Sequence, residues 1–147
     1  MPRRPDSRAK AGGASPSAAD YRALASFRYT LRKFLAFSEN AAKGVGLTPQ
    51  QHQALLTIMG YPEPDAVTIG ALAERLLLKH HSTVELVDRL TELELVKRVR
   101  DTADRRRVIL RLTRKAQQLL SSLSAAHLEE LRRFRPVFAA LLERLDE

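Results

Sequence analysis

No cysteine occurs among the 147 residues. That excludes disulfides, thiolate metal sites and thiol-based redox sensing, and it agrees with a cytoplasmic location. Nor does any stretch approach the roughly 18 uninterrupted apolar residues of a membrane span. The arginines near the N-terminus are followed by no apolar run, so no secretory signal is expected there. Catalytic signatures are missing too. There is no glycine-rich phosphate loop and no nucleophile motif, and His52, His80, His81 and His127 lack zinc-ligand spacing with a third partner. Such a chain is not expected to be an enzyme or to carry a metal or cofactor. What is present suits one globular domain with a real core, at 44% hydrophobic and 29% charged residues.

The formal net charge is +8, and it is unevenly placed. Nine basic residues lie between Lys97 and Lys115, opposed only by Asp101 and Asp104. Arg3, Arg4, Arg8 and Lys10 face Asp6 in the first 19 residues, and the remainder is slightly acidic. A focused cationic stripe on a near-neutral body is the footprint expected for a polyanionic partner. Taken alone, a charge run is also what a solvated face looks like, so its context decides.

That context is read along the chain. Residues 1–19 are rich in Pro, Gly, Ala, Ser and Arg and are expected to form a disordered basic arm. Helical periodicity begins at Tyr21, with Leu24, Phe27, Leu31, Phe34, Leu35 and Ser38 on one face, and stops at Gly44 and Gly46. Thr48-Pro49-Gln50-Gln51 is a capping-box start for a second helix carrying Leu55, Ile58 and Met59. Thr68 caps a short third helix with Ile69, Leu72, Ala73 and Leu76 inward. A fourth runs from about His81 to Glu94, with Val84, Leu86, Val87, Leu90 and Leu93 inward. Two short helices joined by a tight turn form a helix-turn-helix, although this turn lacks the glycine often found there. The period then drops to two. Val96–Arg100 and Arg107–Leu112 are expected to pair as a hairpin with Val108, Leu110 and Leu112 inward, Ile109 outward and a charged tip. Thr113 caps a long helix that Pro136 breaks or kinks, and Val137, Phe138, Leu141, Leu142 and Leu145 mark a last helix.

The expected fold is therefore mainly α with a small β-hairpin. One domain spans residues 20–147, with a winged helix-turn-helix in 48–112 flanked by helices in 20–45 and 113–147. The apolar stripes of those flanking helices need covering. They could pack on each other or on a second copy of the chain, and periodicity does not choose between them.

In a helix-turn-helix the second helix lies in the major groove with its N-terminal residues at base edges. The candidate readers are His80, His81, Ser82, Thr83, Glu85, Asp88 and Arg89. Ser82 can donate to phosphate or base. Glu85 either accepts from cytosine N4 or is turned aside from the phosphates. The wing candidates are Arg98, Arg100, Asp104, Arg105, Arg106 and Arg107, whose tip arginines suit the negative potential of a narrow minor groove. Asp104 is expected to orient the Arg106 guanidinium and, with Asp101, to build the turn through Asx hydrogen bonds. The competing reading is a winged-helix module that binds an acidic protein through the basic hairpin.

The order of these pieces resembles the MarR family of bacterial transcription regulators. The resemblance rests on Thr48-Pro49-Gln50-Gln51-His52, Leu72-Ala73-Glu74-Arg75-Leu76, Ser82-Thr83-Val84 with Leu86-Val87-Asp88-Arg89-Leu90, Asp104-Arg105-Arg106 and Leu112-Thr113, across roughly Tyr21 to Leu145. It implies a triangular homodimer whose terminal helices form the interface, binding to palindromic operators on double-stranded DNA, usually repression, and often relief by a small phenolic or lipophilic effector. It places the effector's cleft between the dimerisation helices and the DNA-binding lobe, with Phe34, Phe37, His52 and Tyr61 as candidate lining. Two positions depart from the family pattern, Glu94 and Ala116, where glycine is common. Glu94 puts the local backbone before the wing in question, whereas an alanine in a helix is harmless. The absence of cysteine excludes a peroxide-sensing mode.

Overall fold

Residues 13–147 are described by the computed structural model, and they form six α-helices and one antiparallel hairpin. Residues 1–12 of the expected basic arm lie outside the described residues. The first helix, α1 (Ala18–Gly44), starts three residues before Tyr21, because Ser17 and Asp20 form a capping box there. The Asp20 amide donates to Ser17 Oγ at 3.2 Å, and the Ser17 amide donates to Asp20 at 2.7 Å. The expected box at Thr48 and Gln51 opens α2 (Pro49–Met59), with Pro49 in the first turn, where its missing N–H costs nothing. Thr68 caps α3 (Ile69–Leu76), and α4 (His80–Glu92) follows after three residues.

Strands β1 (Val96–Arg100) and β2 (Val108–Leu112) pair with Val96 opposite Leu112 and Arg100 opposite Val108. On its other edge β2 takes one more main-chain bond, from the Leu110 amide to the Val67 carbonyl at 2.8 Å, which stitches the wing to the chain before α3. Ile109, expected to face outward, is only 2% exposed. It lies beside Val99 and the Arg111–Asp65 ion pair, so β2 has little solvent on either face. Two residues expected inward are instead exposed: Met59 in the last turn of α2 and Leu93 at the C-cap of α4. Both sit where a helix ends and the backbone turns away from its core-facing stripe.

The lobe made by α2, α3, α4 and the hairpin holds the centre of the core, which Ala42 of α1 and Ala116, Leu120 and Leu123 of the helix after the hairpin help to close. Leu55, Leu72, Val87, Leu90, Leu95 and Leu110 are each no more than 2% exposed. Thr113 then caps α5 (Arg114–Arg133), accepting from the Ala116 amide at 3.2 Å. Pro136 does not kink one continuous helix. The chain stops at Phe134 and restarts as α6 (Arg135–Leu145), with the proline in the new first turn. Within the chain α6 lies against α1. Phe27 meets Phe138 edge-on at 6.0 Å, and Arg144 reaches back to Asp20 at 2.7 Å. That arginine holds the Asp20 carboxyl down at about 2, aided by the Ser17 amide. Even so, Leu24, Leu31, Leu35, Leu128, Leu142 and Leu145 remain exposed.

Candidate nucleic-acid interface

The turn between α3 and α4 solves its missing-glycine problem by placing Leu77 itself in the left-handed conformation, at φ 56° and ψ 38°. An L-residue there pays about 1–2 kcal/mol of steric cost, and the Leu77 side chain gains nothing back from burial, being 92% exposed. Beyond it, α4 opens at Lys79 with no side-chain cap, so its first-turn amides are left for solvent or an anion.

His80, His81, Glu85, Asp88 and Arg89 are exposed on α4, and Ser82 is partly so. Thr83 is not part of that surface. It is fully buried, and its hydroxyl donates to the Lys79 carbonyl at 3.0 Å, so this candidate reader belongs to the core. Bonding to a carbonyl one turn back is what lets a hydroxyl be buried in a helix. Asp88 and Arg98 are engaged with each other at 2.5 Å, and Arg98 also reaches Thr91 Oγ1 at 3.4 Å. This pair ties the first wing strand to the side of α4. A groove of about 460 Å³ separates α4 from the N-terminus of α2, and Gln50, Ser82, Glu85 and Arg89 line it. Gln50 was not singled out in the sequence, because nothing local shows that the start of α2 abuts α4.

At the wing tip the two aspartates act mainly on the backbone. Asp101 Oδ1 accepts from the Ala103 amide and Asp104 Oδ1 from the Arg106 amide, each at 3.1 Å. Main-chain bonds of 3.0 Å, from Asp101 to Arg107 and from Arg107 to Asp104, close the turn. The expected grip of Asp104 on the Arg106 guanidinium is weak. Nε stands 3.8 Å away, beyond hydrogen-bond reach, and the side chain is 96% exposed. Asp104 therefore fixes where Arg106 leaves the turn, and the guanidinium projects freely. The other wing arginines are partly occupied within the hairpin. Arg100 donates to the Arg105 carbonyl at 3.1 Å, and Arg107 meets Asp101 at 3.5 Å.

At the wing's root Glu94 has φ 58°, the left-handed conformation that glycine ordinarily supplies. Its carbonyl accepts from Thr113 Oγ1 at 2.7 Å, and Lys115 Nζ donates to the neighbouring Leu93 carbonyl at 3.1 Å.

A second feature lies behind this surface. Helices α1, α2 and α5 enclose a largely apolar cavity of about 400 Å³. Of the four expected lining residues, Phe34 and His52 do line it. Phe37 packs edge-on against His127 at 5.4 Å, and Tyr61 is elsewhere, under the Arg75 guanidinium at 5.0 Å. Among the lining residues that the pocket reading missed are Ser38, Ser124 and His127. His127 Nδ1 is 2.6 Å from the Leu123 carbonyl, which can only accept, so Nδ1 carries hydrogen. Nε2 then accepts from Ser38 Oγ at 2.7 Å when the ring is neutral. The His52 ring stands 4.8 Å from that of His127. Burial, and then His127 opposite, push the His52 imidazole below its ordinary titration range. Among the described residues no group of three or more His, Cys, Asp or Glu side chains is placed to hold a metal ion, and no helix is long and apolar enough to cross a membrane.

This architecture, a helix pair followed by a pinned hairpin and framed by terminal helices, defines a winged helix-turn-helix protein. Residues 45–107 match the protein-family model of the MarR family. Over 86 residues the chain is 34% identical to the uncharacterized HTH-type transcriptional regulator YsmB of Bacillus subtilis (strain 168), covering 58% of this chain and 57% of that relative's length. A MarR family protein from Bacillus stearothermophilus superposes with a TM-score of 0.74 at 23% identity, over 90% of this chain and 96% of the other. A mutant MepR of S. aureus, solved bound to an oligodeoxyribonucleotide, superposes with a TM-score of 0.65 at 19% identity, over 86% and 96%. The chain is thus similar to the MarR family over its winged helix-turn-helix segment, and it spans little more than half the length of the curated relative it matches.

Proposed function

We propose that this protein is a transcription regulator that binds double-stranded DNA as a homodimer. It would act as a repressor at a palindromic operator, with the cavity between its lobes receiving a small lipophilic or phenolic effector. The observation that carries the DNA reading is the Asp88–Arg98 tie. It fixes a hairpin with a projecting Arg106 beside a helix whose open first turn carries His80, His81 and Ser82. One surface thus offers a major-groove reader and a cationic arm for the neighbouring backbone or minor groove. The relatives agree: YsmB bears the name of a transcriptional regulator, and the MepR mutant was solved with an oligodeoxyribonucleotide. The exposed leucines of α1, α5 and α6 support a second copy as their cover. Phe34, His52 and apolar walls support the effector reading.

The test is binding to duplex DNA across a salt series, followed by footprinting on selected sites. We expect a steep fall of affinity with salt and protection of two half-sites about one helical turn apart. An acidic protein partner with no duplex binding would instead establish the interaction-module reading.

A further inference from the structure

The two buried histidines join the winged lobe to the terminal helices. His52 belongs to α2, whose buried side contributes Ala54, Leu55 and Ile58 to the core of the winged lobe. His127 belongs to α5 and bonds Ser38 of α1, so it is fixed to the terminal helices. The rings meet at 4.8 Å across the cavity, with Phe34 and Phe37 edge-on against His127. His52 is only 3% exposed. Charge that could compensate a proton on it is missing from every side. From α1 it faces Phe34 and Ser38, and from α5 it faces Ser124 and His127. The buried residues of α3, α4 and β2 are aliphatic apart from Thr83, and among the described residues His127 is the only titratable group that acts on His52.

We propose that the His52–His127 contact is a proton-operated latch between the DNA-binding lobe and the terminal helices, and that acidification opens it and lowers DNA affinity. The DNA part of this statement rests on the regulator reading; the opening does not. A cation at His52 sits in an apolar cavity with no carboxylate, facing an imidazole whose two nitrogens are already engaged. Burying an unpaired charge in this way is costly, and the available relief is water. Water enters by parting α2 from α5 at the cavity, which shifts α2 against the terminal helices while the Ala116, Leu120 and Leu123 end of α5 stays in the lobe's core. The sign follows from the lowered His52 titration. The closed form is fully stable above the ordinary imidazole range near pH 6.5 and loses stability as pH falls below it, because the open form then binds the proton more readily.

The exposed His80 and His81 make the sign diagnostic. Any positive charge they carry beside phosphates tightens DNA binding, whereas the latch weakens it on acidification. They are common to the wild type and His52→Gln, so the ratio of the two proteins' affinities isolates the latch. Between pH 8 and pH 5.5 a duplex should lose at least about fivefold more affinity for the wild type than for His52→Gln, the lower end of ordinary coupling between sites. Equal pH dependence overturns the proposal. A second arm needs no DNA. The cysteine-free chain accepts spin labels at Thr102→Cys in the wing and Ala126→Cys on α5, diluted with unlabelled protein. The label separation should change between the two pH values in the wild-type background and stay fixed with His52→Gln, or with His52→Asn should the first variant fold poorly. An unchanged wild-type separation, or the same change in the variant, refutes the latch. No duplex binding at pH 8 together with an intact separation change would refute the regulator reading and leave the latch standing.

Discussion

The winged lobe and the terminal helices treat apolar surface in opposite ways. In the lobe six large side chains from α2, α3, α4 and the hairpin, Leu55, Leu72, Val87, Leu90, Leu95 and Leu110, are closed off from water by their own neighbours. In α1 only Thr30 and Ala42 are buried over 27 residues, and in α6 no residue is. The first region holds the centre of a core that Ala42 of α1 and Ala116, Leu120 and Leu123 of α5 help to close, whereas leucines on the outer faces of the terminal helices stay exposed.

The comparison is broken most directly by deleting one leucine from each region. Leu90→Ala removes a fully buried side chain and should cost about 2–5 kcal/mol in denaturant unfolding, with Leu142→Ala changing the stability of a single chain by less than about 0.5 kcal/mol. Similar losses would mean that the terminal helices form a closed core of their own. Next in size is the effect of covering those outer faces. If a second copy does so, a tenfold rise in protein concentration should stabilise the dimer by about 1.4 kcal/mol. The double substitution Leu142→Lys and Leu145→Lys should yield a monomer in sedimentation whose melting temperature ignores concentration. A variant that still sediments as a dimer would move the interface away from α6.

A smaller effect sharpens the contrast inside the lobe. Arg106 projects freely and Arg98 is held by Asp88. Arg106→Ala should therefore reduce the salt dependence of duplex binding by about one phosphate contact. Arg98→Ala should weaken binding through a loosened wing and leave the salt slope unchanged. Equal changes in slope would place Arg98 on the backbone after all.

Local patterns made much of this legible. The caps at Thr48, Thr68 and Thr113 and the change of period at Val96 mark elements whose chemistry lies within a few residues, so the helices and the hairpin followed from them. Polarity misled at Thr83, whose hydroxyl is satisfied within its own helix, and single-face periodicity misled at Ile109. Contacts between distant residues left no signal. His52 and His127 lie in separate helices, and nothing around either announces the other. The same holds for Gln50 beside α4, and for the division of the wing arginines into paired and projecting ones.

The smallest expected effect concerns the wing's root, at Glu94, and it has a favourable sign. The left-handed backbone there costs an ordinary residue about 1–2 kcal/mol, and glycine escapes that cost but loses about 0.5–1 kcal/mol through its freer unfolded chain. Glu94→Gly should therefore stabilise the protein by about 0.5 kcal/mol in thermal or denaturant unfolding. The contacts that pin the wing's root survive the change, because Thr113 and Lys115 bond the carbonyls of Glu94 and Leu93, not the Glu94 side chain. Glu94→Ala is the control, since it removes the same carboxylate and keeps a Cβ in the strained conformation. Equal gains from both substitutions would assign the effect to charge. A loss with glycine would show that the Glu94 side chain contributes more to the junction than its backbone strain removes.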